Sequence, residues 1–99
     1  MSRAETLSES AIRAALQELP GWTLAENKLH REYLFSDFIH AFGFMATAAM
    51  AIEATGHHPD WCNSWNRVTV AVTTHDAGGI TAKDVELARK LEAIARKLG

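Results

Sequence analysis

From Phe38 to Ile52 the chain carries no Asp, Glu, Lys or Arg, and on either side of that run the hydrophobic spacing changes. Upstream, "LSESAIRAALQELPGW" places Ile12, Leu16 and Leu19 at helical intervals, with Ser8 as N-cap and Pro20-Gly21 as the stop. "WTLAENKLHREYLF" follows as a hairpin turning near Asn27-Lys28, with Trp22, Leu24, Leu29, Tyr33 and Phe35 among its strand residues. "SDFIHAFGFMATAAMAIEATG" is a second helix, capped by Ser36 or Asp37 and ended by Gly56. "WCNSWNRVTVAVTTH" supplies a second hairpin turning at Asn66-Arg67, with Val68, Val70 and Val72 on one face of its second strand. "DAGGI" reads as a loop. "TAKDVELARKLEAIARKL" is a last helix, with Thr81 and Asp84 spaced as a capping box and Val85, Ala88, Leu91, Ile94, Ala95 and Leu98 on its apolar side.

Two hairpins joined by a helix predict an α+β fold. The expected architecture is a four-stranded antiparallel sheet with three helices packed on one face, in the order α-β-β-α-β-β-α. The 99 residues suffice for one such domain, spanning 1–99, and not for two. The uncharged helix adds an expectation about assembly. Phe38, Phe42, Met45, Ala49 and Ile52 form one apolar stripe, while Ile39, Ala46 and Met50 lie off it. A surface helix keeps a charged face, and one small sheet covers only one side, so the other side is expected to meet a second subunit. A homodimer or homotetramer follows.

Composition narrows the function. Hydrophobic residues make up 47% and charged residues 22%, which is globular rather than disordered. A net charge of −2 leaves no basic footprint for nucleic acid. "MSRAETLSES" lacks the apolar core of a secretory signal, and no stretch reaches the ~18 uninterrupted apolar residues of a membrane span. Cys62 is the single cysteine, which rules out an intrachain disulfide and a cysteine-based zinc site. These features point to a cytoplasmic protein without a nucleic-acid or membrane partner.

The candidate chemistry lies where helix gives way to strand, at "EATGHHPDW". His57 and His58 are adjacent, Glu53 precedes His57 by four residues, His75 follows the second hairpin, and Asp84 opens the last helix. Each has a plain structural explanation: solvated loop histidines, a strand-end histidine, a helix cap, a solubilising carboxylate. His30 and His40 have no such neighbours and read as structural. Two sharper readings stand beside these. Glu53, His57, His58 and His75 include enough donors for zinc or iron, although adjacent histidines in extended chain point apart and no H-x-x-x-H or H-x-H spacing occurs. Alternatively, imidazoles with an ordinary pKa near ~6.5 give and take protons at neutral pH without a metal.

The same residues resemble the pterin-4a-carbinolamine dehydratases over nearly the whole chain. The resemblance is carried by "GW" at 21–22, "FSDFIHAFGFM" at 35–45, Glu53 with "HHPDW" at 57–61, "N-x-x-N-x-V" at 63–68 and "TTHDAGGITAKDVELA" at 74–88, without a departure at any motif position. It implies dehydration of 4a-hydroxytetrahydropterin to quinonoid dihydropterin, in pterin recycling for an aromatic amino acid hydroxylase. It further implies catalytic His57, His58 and His75, with His57 and His75 transferring protons and His58 mainly positioning substrate. Glu53 and Asp84 would support the imidazoles, and His58, Pro59 and Trp22 would bind the pterin, with no metal and no organic cofactor. Which histidine is acid and which is base stays open. The family's other role, as a dimerisation cofactor of a transcription factor, is the alternative function.

Overall fold

The computed structural model describes residues 5–98. Its elements are α1 (Glu9–Gln17), β1 (Thr23–Ala25), β2 (Lys28–Leu34), α2 (Phe38–Thr55), β3 (Asp60–Ser64), β4 (Arg67–Val72), a 3-10 turn (His75–Ala77) and α3 (Ala82–Leu98). The four strands form one antiparallel sheet in the order β1-β2-β4-β3. This is the predicted α+β architecture. Alternation decides the sheet's faces: Leu29, Tyr33, Val68, Val70 and Val72 are buried, whereas Glu32, Leu34, Cys62 and Arg67 on the opposite face are exposed. Phe44 and Ile52 of α2 and Leu87 and Leu91 of α3 complete the same core.

Both hairpins turn one residue earlier than predicted. Ala25 pairs with Lys28 and Ser64 with Arg67, so the two-residue turns are Glu26-Asn27 and Trp65-Asn66. Strand register follows the pairing of apolar side chains, here Leu24 opposite Leu29, and the turn takes what remains. Glu26, Asn27 and Trp65 adopt left-handed φ values of 53°, 62° and 50°, as primed hairpin turns demand. α1 is shorter than its pattern, ending at Gln17, but Leu19 beyond it is still buried.

α2 is capped by Asp37, whose carboxylate accepts the His40 amide, and ends at Gly56 in the left-handed region at φ 72°. The amide and imidazole of His40 hold the Asp37 carboxyl below its ordinary pKa of 3.8. The predicted inward stripe is rotated. Ala41, Phe44, Ala48 and Ile52 face the core, because the two alanines let the helix approach the sheet closely. Phe38, Phe42 and Ala49 instead join Ile39, Ala46 and Met50 on the exposed side. Ile39 is 78% and Met50 77% exposed, an apolar face with nothing over it among the described residues. By length and composition α2 matches a membrane span, but its inner stripe packs into the core of the sheet.

Under the sheet's β1–β2 end, Glu92 of α3 accepts hydrogen bonds from the Trp22 indole at 3.1 Å and the Tyr33 hydroxyl at 2.7 Å. The Arg31 guanidinium lies 4.3 Å over the Tyr33 ring and 3.7 Å from the same carboxylate. Burial first, and the Glu92 contact second, push the Tyr33 hydroxyl's pKa far above the ordinary tyrosine value.

Candidate active site

The β3–β4 register explains how distant histidines meet. Asp60 pairs with Ala71, and carrying that register two residues outward sets His58 level with Thr73. The segment Gly56–Pro59 and the turn after β4 therefore leave the sheet side by side. His57, His58 and His75 line one open pocket of about 270 Å³ with Gly56, Thr73, Thr74, Asp76 and Lys83.

His57 is the most constrained of the three. Its side chain is 17% exposed, and its Nε2 lies 2.6 Å from Asp84 Oδ1. Asp84 is fully buried, and its second oxygen accepts the Thr74 hydroxyl and the Thr81 amide, each at 2.8 Å. A carboxylate can only accept, so the His57 Nε2 carries a hydrogen and Nδ1 is the nitrogen left for chemistry. The helix-capping role of Asp84 is real, because the Thr81 amide is one of its donors. The capping geometry leaves Oδ1 free to hold His57. One residue thus serves both readings made from the sequence.

His58 turns the other way. Its Nε2 meets Glu53 Oε1 at 3.0 Å, and both side chains are largely solvent-exposed. Beneath this pair, Pro59 and Trp61 line a smaller hollow of about 200 Å³ with Ala49 and Ile52. The adjacent imidazoles thus point apart, one to α3 and one to α2. Among the described residues, no group of three His, Cys, Asp or Glu side chains is arranged to share a metal ion.

His75 opens the 3-10 turn, where the prediction had a plain loop after it. A bridge between Thr74 and Gly79 closes this turn, and Gly78 caps it at φ 81°. The β1–β2 turn braces it from outside: Asn27 Nδ2 donates to Gly78 O at 2.9 Å, and Thr73 Oγ1 donates to Asn27 O at 3.1 Å.

Trp22, which the resemblance sets beside the pterin, is 4% exposed and donates its indole N–H to Glu92, roughly two helical turns along α3 from Asp84. Its aromatic body and single N–H donor are explained by the core. Thr74, Thr81 and Lys83 were the residues missed at the site. "TTH" and "TAKD" were legible as motifs, but a threonine's role depends on which carboxylate the fold brings to it.

Fold and pocket together define a class: a small α+β domain whose sheet ends in an imidazole-lined pocket able to exchange protons. The family described as "Pterin 4 alpha carbinolamine dehydratase" matches residues 5–94. A protein of Solibacter usitatus named "Putative pterin-4-alpha-carbinolamine dehydratase" is 63% identical over 89 residues, 90% of this chain and 94% of that protein. A protein of the same name from Rhodopseudomonas palustris is 50% identical over 94 residues, 93% of each chain. A crystal structure from Brucella melitensis, called a transcriptional coactivator/pterin dehydratase, superposes with a TM-score of 0.89 at 44% identity, covering 92% of this chain and 99% of that one. The chain belongs to the pterin-4-alpha-carbinolamine dehydratase family.

Proposed function

We propose that the protein is a 4a-hydroxytetrahydropterin dehydratase acting by histidine acid–base catalysis, recycling the pterin spent by an aromatic amino acid hydroxylase. The observation that supports it most is the buried Asp84 on His57 Nε2, in a pocket shared with His58 and His75. The reaction breaks the C4a–O bond. A proton goes to the departing oxygen, a base takes the proton of the neighbouring ring nitrogen, and that nitrogen's electron pair forms the new C=N bond as water leaves. Asp84 stabilises a positively charged His57, so His57 Nδ1 suits the base and His75 the acid. His58 positions the ring over Pro59, with Glu53 steadying its imidazole. Positioned proton transfer contributes ~10²–10⁴-fold, ample for a reaction that already proceeds in water. The reading needs no metal or organic cofactor.

Assembly is part of the same proposal. A second copy covers the exposed α2 face about a twofold axis, giving a cytoplasmic homo-oligomer. The second reading, an interaction protein, rests on that face alone, since another protein could occupy it. Turnover of freshly generated 4a-hydroxytetrahydropterin, with and without a chelator, tests the enzyme. Acceleration that survives chelation supports it, and no acceleration over buffer refutes it in favour of the binding role.

A further inference from the structure

We propose that Thr74 is a positioning residue that joins the two proton-transferring histidines, holding Asp84 against His57 through its hydroxyl and His75 through its own backbone. The inference rests on the dehydratase reading above for its catalytic consequence, but not for its geometry. Thr74 is 8% exposed, with its hydroxyl 2.8 Å from Asp84 Oδ2 and 2.9 Å from Thr81 Oγ1. Hydrogen counting fixes the direction of every bond. A threonine hydroxyl has one hydrogen. The carboxylate only accepts, so Thr74 spends its hydrogen on Asp84 and its oxygen must receive the hydrogen of Thr81. Thr81 Oγ1 in turn accepts the Lys83 amide at 3.2 Å. The result is a one-way chain from the first turn of α3, through two hydroxyls, to the carboxylate that grips His57.

The backbone of Thr74 meanwhile bonds Gly79 in both directions, N to O at 3.1 Å and O to N at 3.3 Å, closing the turn whose first residue is His75. A side chain serving only to cap α3 would need none of this, because the Thr81 amide already satisfies the capping geometry. Removing the Thr74 hydroxyl takes one of three donors from Asp84. A carboxylate with fewer donors is more basic and pulls harder on the His57 Nε2 hydrogen, favouring the imidazolium. His57 Nδ1 then gives up its proton only at higher pH. The other ionisable groups around His57 are Lys83, Glu86 and Lys90 of α3, His58 on its own segment, and His75 and Asp76 of the turn. None of these is altered by a change at Thr74.

The test is a series of Thr74→Val, Thr74→Ala and Thr74→Ser, followed by kcat and KM against pH. In parallel, NMR titration of the ¹⁵N-labelled imidazoles is recorded on protein whose circular dichroism matches wild type. Loss of the hydroxyl should move the His57 titration upward and lower kcat near neutral pH about tenfold, one hydrogen bond's share, with KM nearly constant. Thr74→Ser should restore both. A folded Thr74→Val or Thr74→Ala with the wild-type His57 titration overturns the proposal, as does a serine variant as impaired as the valine. If neither hydroxyl-free variant folds, Thr81→Ala decides. It strips the donor from the Thr74 oxygen and should move the His57 titration upward by less, and an unmoved titration refutes the chain. Because the titration needs no turnover, the coupling can stand even where the dehydratase assay fails.

Discussion

Replacing Asp84 by Asn separates catalysis from helix capping. The amide has one oxygen for the two roles that the carboxylate divides between Oδ1 and Oδ2. With its oxygen at the Oδ2 site it keeps the Thr74 and Thr81 donors, each now at 2.8 Å, and turns an N–H toward His57 Nε2, at present 2.6 Å from Oδ1. The opposite orientation sets an amide N–H against the Thr81 N–H, so the first prevails. His57 must then move its hydrogen from Nε2 to Nδ1, which removes the lone pair assigned to the substrate. The charge-assisted bond between His57 and residue 84 becomes a neutral one, a cost of about 1–1.5 kcal/mol. For a domain of this length that corresponds to a melting temperature lower by roughly 5–10 °C. The base in the wrong tautomer should cost ~10²–10⁴-fold in kcat, with KM little changed. Thermal melts and steady-state turnover on the same preparation read both numbers. A variant that melts early but turns over within about threefold of wild type would show that Asp84 only caps α3, and the acid–base assignment would fall.

Other outcomes follow from the same geometry. His57→Ala and His75→Ala should lower kcat more than they raise KM, while His58→Ala should act mainly on KM; equal, small effects from all three would refute the roles. Ala46→Glu places a charge on the exposed α2 face and should dissociate the proposed oligomer, whereas light scattering of the wild type at 10.9 kDa would show that there is none. Glu92→Gln weakens the acceptor shared by Trp22, Tyr33 and Arg31 and should cost about 2 kcal/mol in urea unfolding, with catalysis spared. Tyr33 is the only tyrosine, and its folded pKa lies above the unfolded value of 10.0, so the unfolded chain loses this proton first as pH rises. Its contribution is therefore complete below pH 10 and fades above it; urea unfolding of Tyr33→Phe should show a weaker alkaline loss than wild type, and identical slopes would refute this.

Periodicity sufficed for element type and order because each segment's apolar spacing belongs to one secondary structure. It put Val68, Val70 and Val72 on one face of a strand, and that face proves to be the buried one. α2 defeated it, because a helix apolar all round does not announce which side meets the sheet; the small size of Ala41 and Ala48 settled that. The turns slipped by one residue for a related reason. Turn preference alone sets Asn first in each turn, but the pairing of Leu24 with Leu29 puts Asn27 second. At the site, the histidines and Asp84 were visible as residue types at spaced positions. Their convergence depended on strand register, and Thr74 was invisible until Asp84 had been brought to it. The Trp22 bond to Glu92 was not legible, because a tryptophan in a motif says nothing of whether its N–H meets a buried carboxylate.

The three tryptophans occupy three unlike surroundings, and this gives the molecule its own optical reporters. Trp22 is buried on Glu92, Trp65 stands 64% exposed on a hairpin turn, and half-buried Trp61 shares the small hollow with His58 and Pro59. Acrylamide should quench Trp65 first, and unfolding should shift the emission of Trp22 most. Trp61 is then left to sense that hollow, through quenching as His58 gains a proton or as an absorbing ring settles beside it. A Trp65→Phe background would leave occupancy of the hollow readable by fluorescence alone, before any chemistry is followed.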